Sequence, residues 1–172
     1  MSFHEILQRT RRTAAVNGGS VAAVAGLSAL VSLFLLSGFG CAVGLAFAAT
    51  GVMELRGRSL LARDVHRAGR WLVGAQAAFF ALIAAYAGYQ LATLTGAAIL
   101  QAMSPDMLAL IKQRLELQTG LQLPDEVIGD VLLRAMRLVY WVLIVVSFFY
   151  QGGMAWYYQR RIRTLQRSDT DD

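Results

Sequence analysis

The chain of 172 residues contains one cysteine, Cys41, two histidines, His4 and His66, and one lysine, Lys112. A single cysteine excludes an intrachain disulfide and any metal site built on cysteine pairs. Both histidines fall in segments expected outside the apolar runs, which excludes a haem held between two histidines inside a membrane. Asp64 and His66 alone are too few for a zinc site, and two positions apart on a helix they do not face one another. There is no Gly-rich phosphate loop, no Gly-x-Ser-x-Gly elbow and no Cys-x-x-Cys pair. No catalytic, metal or cofactor-binding residue is assigned, and no cofactor is expected.

Charge is also scarce. Charged residues make up 16% of the chain and hydrophobic residues 56%, against about 25% and 45–50% in ordinary soluble domains. The apolar excess sits in long blocks, the mark of a chain partly solvated by lipid. The net charge of +5 does not point to nucleic acid, because the arginines flank apolar runs and form no stripe with exposed aromatics.

Residues 1–16 read as an amphipathic lead-in, with Phe3, Ile6, Leu7 and Thr10 at helical spacing and a short interfacial helix expected. Thr10-Arg11-Arg12-Thr13 superficially resembles a twin-arginine export signal, but Ala14-Ala15-Val16 does not continue that pattern. Gly38-Phe39-Gly40-Cys41 has the outline of a lipoprotein cleavage box, yet the chain stays apolar after Cys41 where a polar tether belongs. Residues 17–55 form one apolar run, too long for a single span of about 20 residues. A helical hairpin turning at Ser37-Gly38-Phe39-Gly40 is expected, with Gly38 and Gly40 supplying the backbone freedom.

Arg56 to Arg70 follows as a basic loop with Arg56, Arg58, Arg63, Arg67 and Arg70. Glu54, the acid nearest to lipid, is expected to pair with Arg56 or Arg58 at the interface. Trp71 opens a third span that reaches about Thr95 and is rich in small residues. Residues 96–137 are amphipathic. Ser104-Pro105-Asp106 starts a helix there, Gly120 can end it, and Leu123-Pro124-Asp125-Glu126 starts another that runs on into the fourth span, about 138–158. Trp141 and Trp156 mark the interfaces of that span, as Trp71 marks its own. The tail carries Arg160, Arg161, Arg163 and Arg167.

Orientation follows from the basic residues. Twelve arginines lie in the N-terminal segment, the Arg56–Arg70 loop and the tail, while residues 96–137 carry four basic residues against five acids. The three basic segments share one side only if residues 17–55 cross twice. The expected topology is an all-α, integral-membrane four-helix bundle with spans near 18–37, 39–55, 71–95 and 138–158. Both termini are then cytosolic, in a bacterial cytoplasmic membrane, with residues 96–137 outside.

The recurring small residues are packing candidates: Ala22 and Gly26 in the first span, Gly40 and Gly44 in the second, and Gly74, Ala78, Ala81 and Gly88 in the third. Such spacing lets helix backbones approach closely. Arg56, Arg58, Arg63, Arg67, Arg70, Arg160, Arg161 and Arg163 are the candidates for setting topology and touching anionic headgroups.

Met53-Glu54-Leu55-Arg56-Gly57-Arg58, Arg70-Trp71-Leu72-Val73-Gly74-Ala75-Gln76 and Gln151-Gly152-Gly153-Met154-Ala155-Trp156-Tyr157-Tyr158 give the chain its one resemblance. It resembles uncharacterised small bacterial inner-membrane proteins with four spans. That resemblance implies the topology and brings no activity, ligand or catalytic residue.

The expected function is non-enzymatic: a structural or accessory subunit, or a membrane-organising protein. Its expected partners are anionic lipid and either another membrane protein or a second copy of the chain. The alternative is an oligomeric channel or transporter for a small solute, lined by Gln76, Tyr89, Gln90 and Thr93. An enzyme acting on lipids would have only Glu54, Asp64 and His66 to work with.

Overall fold

The computed structural model describes residues 3–120 and 123–170. All its regular structure is helical: α1 (Phe3–Phe34), α2 (Gly38–Leu60), α3 (Val65–Thr93), α4 (Gly96–Ala102), α5 (Pro105–Thr119) and α6 (Asp125–Thr170). Four of these, α1, α2, α3 and α6, are long and apolar enough to cross a membrane, so the chain is a multi-pass membrane protein. It divides into two compact units, residues 1–83 with 146–172, and residues 84–145.

In the first unit α1 runs unbroken for 32 residues, about 48 Å at 1.5 Å per residue. That exceeds the roughly 30 Å of a hydrocarbon core. The separate interfacial helix expected over residues 1–16 is therefore the first half of α1. Nothing between Ala14 and Gly19 breaks the helix, and its apolar face is covered. Ile6 and Ala14 pack with Leu61, Ala68, Leu72, Tyr158, Ile162 and Leu165 in one apolar cluster. Thr10, on the same face, is wholly buried and its hydroxyl donates back to the Ile6 carbonyl at 2.8 Å. The arginine-rich segments thus surround a packed core.

The Arg56–Arg70 stretch is mostly helix, which corrects its reading as a loop. Arg56 and Arg58 ride the last turns of α2, and Arg67 and Arg70 the first turns of α3. Only residues 61–64 turn. Asp64 makes that tight reversal workable, because its carboxylate accepts from the Arg67 amide at 2.8 Å and so caps α3.

The α1–α2 hairpin forms as expected, but its turn lies earlier and uses a different residue. The Leu36 amide donates to Leu33 at 3.0 Å and the Ser37 amide to Ser32 at 2.8 Å, the paired bonds of a Schellman motif. Leu36 takes the left-handed position at φ 54°, where glycine is usual. Ser37 then caps α2, its hydroxyl accepting from the Gly40 amide. Gly38 is already helical, so its freedom is not what the turn uses. A left-handed residue other than glycine costs about 1 kcal/mol. The Leu36 side chain is fully outward, so Leu36→Gly removes no packing. We expect Leu36→Gly to raise the unfolding midpoint in mild detergent by about 3 °C; a lower midpoint would show that the Leu36 side chain anchors the turn.

A seam of small residues joins α1 to α2. A Cβ on Gly44 would meet the backbone of Ala29 at 2.8 Å, and one on Gly51 would meet the Ala22 amide nitrogen at 2.6 Å and the Gly18 carbonyl at 2.7 Å. Gly44 and Gly51 are seven apart, as are Ala22 and Ala29, so an antiparallel pair keeps one face in register over two turns. Gly40 lies against Ser32. Around Gly26, Gly74 and Gly88 there is open space, Ala78 is half-buried and Ala81 is exposed. Close approach in the first unit is thus tightest between α1 and α2, and of the α3 glycines Gly69 alone has a close neighbour, a Cβ there meeting the Ile162 side chain at 3.1 Å. The fourth long helix is the least covered of the four, with Trp141, Phe149 and Trp156 among its outward side chains.

In the second unit, Ser104 caps α5 with Pro105 in its first turn, and Gly120 ends it in the left-handed conformation, as expected from sequence. Thr95 caps α4, a separate short helix that the sequence reading does not distinguish. Gly96 and Gly129 bring α4 and α6 together, a Cβ on Gly96 meeting the Gly129 backbone at 2.9 Å. Lys112 and Asp125 form an ion pair at 2.5 Å. Tyr86 and Tyr140 meet edge to face with centroids 6.3 Å apart.

Candidate functional site

Two features of the first unit carry chemistry, a buried polar cluster and a basic groove. The cluster centres on Glu54. Glu54 is 2% exposed, Gln76 2%, Thr50 4% and Gln151 7%, and each comes from a different position on α2, α3 or α6. From Gly38 to Glu54 the helix rises about 24 Å, so the carboxylate lies within the length of helix that an apolar core of about 30 Å would enclose.

The expected ion pair with Arg56 or Arg58 is absent. Among the described residues Glu54 makes no ion pair with a basic side chain. Arg56 is two positions on, so it leaves the helix on nearly the opposite side, and its guanidinium lies over the Trp71 ring at 4.6 Å. Arg58 is exposed. The carboxylate instead accepts hydrogen bonds from three uncharged side chains, one of them Gln76. The Asn17 amide donates to Oε2 at 2.7 Å, and the Tyr158 hydroxyl donates to Oε1. The Asn17 carbonyl oxygen in turn accepts from the Tyr150 hydroxyl at 3.1 Å. One α1 residue and one α6 residue thereby bind directly to an acid of α2, and a second α6 residue reaches it through Asn17.

Beside Glu54 lies a cavity of about 10 Å³, lined by Asn17, Val21, Thr50, Glu54, Ala75, Gln76, Phe79 and Gln151. That is room for one water-sized particle. The Thr50 hydroxyl spends its proton on the Phe47 carbonyl at 2.7 Å, so only its lone pairs remain. The Gln151 Oε1 atom is buried with no hydrogen-bond partner.

The groove lies between the basic halves of α1 and α6. It measures about 610 Å³ and is lined by Arg9, Arg12, Thr13, Val16, Asn17, Ser20, Tyr150, Met154, Tyr157 and Arg161. Three cations line it and no acid does. The Arg161 guanidinium stacks over Tyr157 at 5.4 Å from the ring centroid, which fixes its direction. Apolar surface from Val16 and Met154 adjoins this charge.

The remaining basic candidates have other settings. Arg67 pairs with Asp64 at 3.3 Å, Arg160 lies over Trp156 at 5.5 Å, and Arg58, Arg63, Arg70 and Arg163 are exposed. Trp71 is half-buried under Arg56. His66 Nδ1 lies 3.4 Å from the Gln166 amide, away from Asp64's capping role. Of the proposed pore-lining residues, Gln76 is buried beside Glu54, while Gln90 donates to the Tyr86 hydroxyl at 3.0 Å and Thr93 to its own helix at Tyr89.

Sequence reasoning missed Asn17 and Tyr158 as partners of Glu54 and Gln151 as its neighbour in the cavity. Their signal is that Asn17, Gln76 and Gln151 each interrupt an apolar run close to its basic edge, which puts one amide from each of three spans at similar depth. Comparison with protein-family models, with curated proteins and with solved structures finds no match to this chain.

Proposed function

We propose that the chain is a non-enzymatic membrane protein, a structural or accessory component of the bacterial cytoplasmic membrane, that holds anionic phospholipid headgroups in its α1–α6 groove. Both termini and the α2–α3 turn then face the cytosol, where the arginine bias puts them. The observation that carries the reading is the groove itself, with Arg9, Arg12 and Arg161 converging where apolar helix surface begins. Guanidinium forks match phosphate oxygens in pairs. Asn17 and Ser20 add uncharged polar atoms, and Val16 and Met154 suit the first carbons of an acyl chain. The anionic leaflet attracts basic residues at its surface by about 1 kcal/mol each.

Replacing Arg9, Arg12 and Arg161 together by Gln should therefore weaken the preference for phosphatidylglycerol over phosphatidylcholine about 100-fold, three such contributions being lost. Native mass spectrometry of lipids retained from mixed nanodiscs measures this. Equal retention of both lipids by the unaltered protein would overturn the reading.

A further inference from the structure

The cavity beside Glu54 is independent of the lipid reading, and its composition is specific. Three of the groups that line it offer oxygen. Glu54 supplies a carboxylate, Thr50 a hydroxyl whose proton is already committed, and Gln151 an amide oxygen, nine-tenths buried, with no partner. Gln76 adds an amide at the same wall. The space admits one particle the size of a water molecule. The carboxylate has donors in Asn17, Tyr158 and Gln76, but among the described residues no basic side chain pairs with it.

We infer that this cavity binds one sodium-sized monovalent cation, held by Glu54, Thr50 and Gln151. Two separate deficits meet in this one place: a buried carboxylate without a counter-charge, and a buried amide oxygen without a donor. Hard monovalent and divalent cations take oxygen ligands, and inside membrane bundles carboxylates, amide oxygens and hydroxyls supply them. A bound water would satisfy Gln151 and leave Glu54 to be neutralised by a proton, whereas a cation satisfies both groups at once. One carboxylate balances one positive charge, so a divalent ion would leave a charge uncompensated in the apolar bundle. The cation joins α2 to α6 across the bundle, so its binding should stabilise the fold by mass action.

The test is thermal unfolding of the full chain in a zwitterionic detergent, with sodium chloride exchanged against choline chloride at constant ionic strength. The expected result is a midpoint about 3 °C higher at saturating sodium than in choline. Gln151→Leu should abolish the sodium-dependent rise while leaving Glu54 and its donors intact, and Glu54→Gln should abolish it too. Should Glu54→Gln fail to fold, Gln151→Leu decides alone. Equal midpoints in sodium and choline would overturn the inference, as would a sodium effect of unchanged size in Gln151→Leu. A gain in stability on acidification that replaces the sodium effect altogether would also overturn it, assigning a proton to Glu54 and a water to the cavity.

Discussion

Gly51→Ala should destabilise the bundle by about 2 kcal/mol, while Gly74→Ala should leave it unchanged or stabilise it by up to about 1 kcal/mol. The chemistry of the two substitutions is identical, so the opposite signs come from surroundings. In a helix interior alanine is favoured over glycine by about 1 kcal/mol. At Gly74 there is open space, and only that term operates. At Gly51 the new methyl would stand 2.6 Å from the Ala22 nitrogen and 2.7 Å from the Gly18 carbonyl oxygen. Both are backbone atoms, so no rotamer change relieves the clash and α1 must move away from α2. Overpacking of this kind costs about 1–3 kcal/mol, and here it also loosens the seam at Gly44 and Ala29. The measurement is the unfolding midpoint of each variant in mild detergent, with a separation near 8 °C expected for a chain of this size. Equal midpoints would mean that the helices do not approach as closely as the structure shows.

Tyr158→Phe should cost about 3 kcal/mol and Tyr150→Phe less than about 1 kcal/mol. The two tyrosines lie eight residues apart on α6, and both donate into the same network. Tyr158 is wholly buried and donates to the Glu54 carboxylate. Removing its hydroxyl leaves a buried acceptor short of a donor, and the penalty for such a group is large. Tyr150 is 54% exposed and donates to Asn17. Solvent or a headgroup can take its place, so an ordinary hydrogen bond is all that is lost. Paired unfolding measurements in one detergent check the contrast. Near-equal losses would show that burial adds nothing to the worth of the Tyr158 hydrogen bond, since both variants keep the aromatic ring and lose only a hydroxyl.

The membrane character of the chain was legible at once, because blocks of apolar residues longer than 20 have few other solvents. The hairpin in residues 17–55 was equally legible, since length and the distribution of arginines both demanded a reversal. So were the ends of α5, where Ser104, Pro105 and Gly120 act within one turn of themselves. What these share is locality: capping, length and charge bias operate over a few residues and need no knowledge of neighbours.

The rest needed the tertiary structure. Gly38 and Gly40 looked like the turn, yet Leu36 makes it, because the helix ends two residues sooner and the left-handed position falls where it falls. The arginine-rich stretch read as a loop because charge dominates its composition. Its Leu61, Ala68 and Leu72 are apolar only at helical spacing, and their partners Ile6, Ile162 and Leu165 are distant in sequence. Glu54 looked like an interfacial acid beside two arginines. Its true partners, Asn17 and Tyr158, come from positions 37 and 104 residues away. Small-residue spacing marked α3 as strongly as α1 and α2, but a stripe of glycine and alanine says only that close approach is allowed. Which stripe finds a partner depends on how the helices assemble, and in this protein the choice went to Gly44 and Gly51 against Ala29 and Ala22. The sequence by itself determined which segments are long and apolar enough to cross a membrane and where the charge lies; only the assembled helices decided which polar groups meet inside.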